Sequence, residues 1–256
     1  MDLRALPTTP PEPAPSELDV PWGPRDVALA VAALVGVFVA SSMLLAFMVA
    51  ATAGLSEEVA ADPLAAVTPG MLLATTVVLQ AGTFGVALGF GPMRYGLSWR
   101  ALGFRPMPTG ALLRWAAPAM ALNIAVGALY VSLVENSAPA LVPPDLAEQL
   151  GFGERMSGAT MLAAYLVVGV FAPLSEEAFD RGFVFAGLIG KWGKWPAIFA
   201  SAALFAVAHM SFGLLIPVFI SGVVFAWLYW RTGSLWPGLL AHMGQNSLAF
   251  ALAVLQ

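Results

Sequence analysis

Four polar residues stand in stretches that are otherwise apolar, and their types suit hydrolysis. Glu176, His209, His242 and Asn246 supply a carboxylate, two imidazoles and an amide. A carboxylate facing an imidazole can activate a water as a nucleophile. Imidazole and amide N–H groups can donate to a developing oxyanion. The chain has only two histidines, and both fall in hydrophobic windows. Spacing divides the labour among the neighbours. Glu177 and Arg181 are i,i+4 with the acid first, the better orientation for a helical ion pair. Glu176 lies about 100° round the helix from Glu177. Glu177 is therefore expected to neutralise Arg181, leaving Glu176 for proton transfer. Phe205 and His209 are also i,i+4, so Phe205 can wall the His209 pocket, and His242 shares a face with Asn246 in the same way. Two plainer readings stand beside this one: histidines acting as hydrogen-bonded glue between helices, and a structural triad of Glu177, Arg181 and Asp180.

The elements that must carry these residues follow from composition. Of 256 residues, 59% are hydrophobic and 10% charged, with a mean hydropathy of +0.83. Soluble domains carry about 25% charge, so a soluble single domain is excluded. A net charge of −4 without a basic stripe argues against nucleic acid as a partner. The absence of cysteine removes disulfides, thiolate metal sites and a Cys nucleophile. What remains is an all-α polytopic transmembrane bundle. A spanning helix needs ~20 apolar residues, and the uncharged windows give seven spans: 27–54, 70–91, 110–134, 158–190, 196–210, 214–230 and 236–255. The fourth crosses Pro173 and carries Glu176, Glu177, Asp180 and Arg181. Ionisable groups cost ~2.5–3.5 kcal/mol each at a span centre and by default mark function. Depth agrees, because Glu176 and His209 each lie ~21 Å from the turn at Gly190–Lys194 on antiparallel helices.

Residues 1–24 hold seven prolines and no apolar h-region, which points to a disordered tail rather than a signal peptide. Residues 25–157 supply three spans with their loops, and residues 158–256 form the core that carries the site. Nine of the eleven basic residues fall on one side if the N-terminus is cytoplasmic, so that orientation is expected. The basic loop Arg94–Arg114 reads first as that topology signal and nothing more, and its Trp99 and Phe104 would also suit an interface with anionic lipid headgroups. No internal repeat is visible, which weakens a transporter reading.

Three motifs stand in order: Glu176-Glu177-x-x-x-Arg181, Phe205-x-x-x-His209 and His242-x-x-x-Asn246. With Ala172-Pro173-Leu174-Ser175 before the first and Tyr229-Trp230-Arg231-Thr232-Gly233 before the third, the chain resembles the CPBP family. These are the CAAX-protease and bacteriocin-processing (Abi, Rce1-like) intramembrane endopeptidases, and the resemblance covers about residues 158–250. It implies that Glu176 and His209 activate the attacking water and that His242 and Asn246 stabilise the oxyanion. It implies support from Glu177, Arg181 and Phe205, and a membrane-associated peptide or protein as substrate. One position departs. Members commonly carry an aromatic residue before the motif Arg, and here it is Asp180, which could compete with Glu177 for Arg181 or mark altered activity. Family members have been described both as metalloproteases and as metal-independent glutamic peptidases. Glu176, His209 and His242 could hold Zn²⁺ as a three-ligand open site. They lie on three separate helices without an HExxH, however, so the expectation is no cofactor. The Ala/Pro/Gly-rich composition points to a bacterial plasma (inner) membrane. A non-catalytic scaffold or immunity-type protein of the same fold is the competing function, and a proton-coupled transporter a third.

Overall fold

The computed structural model describes residues 18–53, 61–62, 66–146 and 158–255. The acidic loop residues Glu57 and Glu58, the segment 147–157 and the first 17 residues of the proline-rich tail lie outside them. Seven helices carry the described chain, and no strand occurs among the described residues. They are α1 (Pro24–Ala53), α2 (Pro69–Phe90), α3 (Thr109–Val134), α4 (Gly158–Trp192), α5 (Lys194–Ala208), α6 (Phe212–Thr232) and α7 (Trp236–Val254). By length and composition α1, α2, α3, α4 and α6 can cross a membrane. Helix α7 has 19 residues but includes His242, Gln245 and Asn246. Helix α5 has 15, ~22 Å at the helical rise, short of a ~30 Å hydrocarbon core.

The helices turn their polar side chains inward. On α2 the buried residues are Met71, Thr75, Gln80, Thr83 and Ala87, spaced to form one face. Ser41 of α1 donates to the Thr75 carbonyl at 2.8 Å. Outward, Met43, Phe47, Leu129 and Leu133 are exposed. This inversion needs lipid, because polar groups then pair inside and the apolar surface is solvated by hydrocarbon. The core centres on α4, where Phe179, Phe183 and Phe185 pack with Leu102, Tyr229 and Leu235. Gly182 is required here, since a Cβ on it would lie 2.6 Å from the Leu102 carbonyl oxygen. Residues 18–24, assigned from sequence to the tail, contribute to this core. Trp22 is buried, stacks on Phe183 and donates its indole N–H to the Phe183 carbonyl at 3.0 Å.

Cationic side chains gather at one end of the bundle. Arg94 approaches Asp26 at 3.6 Å, and Tyr95 donates to the same carboxylate at 3.0 Å. Arg105 donates to the Gly233 carbonyl at 2.9 Å, and Lys194 sits 3.2 Å above the Trp230 ring. The loop Arg94–Arg114 therefore folds back on the start of α1 and on the α6–α7 turn. Toward the other end, the short helix α5 stops at His209, and Gly213 just beyond it packs against the Val142 carbonyl, where a Cβ would lie 2.5 Å away.

Candidate active site

Helix α4 places the acidic pair through a change of helical width. It runs as α-helix over Gly158–Tyr165, widens to π geometry over Leu166–Phe171, returns to α over Ala172–Glu177, and widens again over Ala178–Phe185. The two acids sit on the narrow segment between two wide ones. Pro173 explains part of this. The Ala172 N–H bonds the Val167 carbonyl five residues back, and in that register Pro173 would serve Val168, but proline has no N–H to give. Asn246 Nδ2 of α7 fills the vacancy, donating to the Val168 carbonyl at 3.0 Å. In the second wide segment Ser201 of α5 donates to the Asp180 carbonyl at 2.7 Å. Each widened turn is thus joined to a neighbouring helix by a polar side chain.

The two acids face different surroundings. Glu177 is 1% exposed and accepts from Arg181 Nη1 at 3.0 Å. Arg181 is fully buried, donates also to the Gly222 carbonyl at 3.3 Å, and lies 4.3 Å and 5.3 Å from the rings of Phe205 and Phe225. Glu176 is 20% exposed. Gln80 donates to its Oε1 at 3.0 Å, and Ser175 hydrogen-bonds Gln80 in turn. The helical spacing therefore assigns the ion pair correctly, and Asp180 does not take Arg181 from Glu177.

The histidines are held differently. His209 closes α5, and its Nδ1 lies 2.8 Å from the Phe205 carbonyl. A carbonyl only accepts, so Nδ1 carries the proton and Nε2 presents a lone pair. The next residue, Met210, has φ +47°, a left-handed conformation costly for a residue with a side chain. His242 is buried between Phe205 and Phe225, stacked on the latter at 5.1 Å. Its Nδ1 lies 3.0 Å from Glu177 Oε1, and its Nε2 lies 3.7 Å from Glu176 Oε2.

Glu176, Phe205 and His209 line one cleft of about 410 Å³ with Gln80 and Asp180. Its remaining walls are largely apolar and include Leu34 and Phe38 of α1. Glu177, Arg181 and His242 lie behind it as a buried cluster, joined to Glu176 through His242. Asn246 does not line the cleft. Gln80, Ser175 and Phe225 escaped the sequence reading, and a screen for neutral polar residues inside spans would have found Gln80.

The donors do not fit a three-ligand zinc site as arranged. No three His, Asp or Glu side chains among the described residues converge closely enough to hold a metal.

A helical membrane bundle with an accessible carboxylate and a buried Glu–Arg–His cluster is the class that the fold and site define. Residues 158–248 match the family model described as type II CAAX prenyl endopeptidase Rce1-like. All three sequence motifs fall within that segment. The chain is 26% identical over 97 residues to "UPF0177 protein YxdF" of Lactococcus lactis, covering 38% of this chain and 53% of that protein. It is 29% identical over 82 residues to "Putative membrane peptidase YdiL" of Bacillus subtilis, covering 32% of this chain and 34% of that protein. The match thus spans about half of one relative and a third of the other. No solved structure matches the chain.

Proposed function

We propose that this chain is an intramembrane endopeptidase that hydrolyses peptide bonds of membrane-associated peptides or proteins. The observation that carries the reading is Glu176: an acid reachable from an apolar cleft, backed by a second acid already neutralised by Arg181. Glu176 takes the proton of the attacking water as general base. His209, with its Nε2 lone pair available on the same cleft, holds that water or shares its proton. Gln80 fixes one carboxylate oxygen of Glu176 and leaves the other for the water. His242 turns Nδ1 to Glu177, so the oxyanion role falls to its Nε2. Asn246 lies outside the cleft and donates to the Val168 carbonyl, so it acts by holding the widened turn of α4 that precedes the acids.

The mechanism is of the metal-independent glutamic type. The N-terminus faces the cytoplasm of a bacterial plasma membrane. The test is a comparison of membrane proteomes from cells expressing the wild-type chain or Glu176→Gln. New peptide termini present with wild type and absent with the variant are expected. Identical terminus profiles at equal expression would contradict the proposal and favour a scaffold of the same fold.

A further inference from the structure

The cleft contains a second carboxyl that the proposed reaction does not use. Asp180 is 5% exposed and lines the same cavity as Glu176. Its backbone carbonyl accepts from Ser201, but its carboxyl makes no hydrogen bond or ion pair among the described residues. Arg181, the adjacent cation, is already held by Glu177, by the Gly222 carbonyl and between two phenyl rings. None of the described residues lining the cleft is Lys or Arg. Among the described residues an acid so placed has no hydrogen-bond or ion-pair partner of its own, and a buried unpaired charge is costly.

We infer that Asp180 is a substrate-recognition residue whose carboxylate receives a Lys or Arg side chain of the substrate, close to the scissile bond. The inference rests on the endopeptidase reading. The walls suit the cation's stem. Leu34, Phe38 and Leu204 line the approach, and a long aliphatic chain can lie along apolar surface while its charged head reaches an acid. A substrate with a neutral residue there would leave Asp180 unpaired, and a site that leaves a buried polar group unpaired discriminates strongly.

The test uses the full chain in nanodiscs and a neutral lipid-anchored peptide with Lys, Arg or Gln scanned through each position. Binding is measured with Glu176→Gln as a non-cleaving trap, and cleavage with the wild type. At one position Lys and Arg should bind about 10–100-fold more tightly than Gln. Adding Asp180→Asn to the trap should bring that ratio near one, and Asp180→Glu should retain the preference. Asp180→Ser replaces the Asn variant if that one does not fold. No cation preference at any position, or a preference that survives loss of the acid, would overturn the inference. Cleavage without cation preference keeps the peptidase reading and removes this one. Asp180-dependent cation binding without cleavage keeps recognition and removes the peptidase.

Discussion

Arg181 is the residue whose loss should do most structural harm. It is fully buried, and it neutralises a Glu177 that is 1% exposed. Removing one partner of a buried pair costs ~3–5 kcal/mol. Arg181→Ala should therefore lower the melting temperature in detergent far more than Glu176→Gln does. Equal melting of the two variants would mean that the roles of the acids are wrong. Gln80→Leu belongs to the same scale. Hydrogen bonds to charged groups are worth about 1.5–3 kcal/mol, so losing this one should reduce cleavage about 10-fold or more with little change in expression. His209→Ala should abolish detectable cleavage, and o-phenanthroline should leave the wild type active. Stoichiometric zinc lost in His209→Ala and His242→Ala would overturn the metal-free mechanism. The ionisable members of the site were legible because a charge inside a span has few innocent explanations. Gln80 and Ser175 were not, since a neutral polar residue in a span is common interhelical glue. Phe225 was hidden for another reason: one aromatic in an apolar helix looks like any other until a ring is seen stacked upon it.

At the scale of the element, α4 is unusual. Its two π segments flank the acids, a frequent arrangement at functional sites. Val168 and Asp180 offer carbonyls that Asn246 and Ser201 occupy. Ser201→Ala should cost ~1–3 kcal/mol, because it removes the side chain bonded to a buried carbonyl. Asn246→Ala should cost a similar amount and also slow cleavage, leaving measurable activity. Thermal melts and kcat/KM on the two variants separate the effects. Unchanged stability in both would mean that the widened turns need no such links. The seven helices were legible within a few residues, as with 27–54 against Pro24–Ala53 and 236–255 against Trp236–Val254, because uncharged windows mark most of them, although α4 runs on through its charged residues. The π segments were not, since helical periodicity assumes a constant 3.6 residues per turn. Only Pro173 hinted at a freed carbonyl.

For the whole molecule, exposed apolar side chains surround the bundle and cations collect at one end. Placing that end in the cytoplasm follows the positive-inside rule. A periplasm-active reporter fused after Gln256 should be active, and a cytoplasm-only signal would refute the orientation. The burial of Trp22 was not legible, because the proline-rich composition of residues 1–24 masks one aromatic near their end. The central claim is that Glu176 drives peptide hydrolysis within the bilayer. Its most direct test is cleavage of a membrane-anchored peptide library by the purified full chain in proteoliposomes, scored by mass spectrometry. Wild type should make defined cuts, and Glu176→Gln should lose about 10²–10⁴-fold in cleavage at unchanged melting temperature. Undiminished cleavage by that variant would contradict the claim.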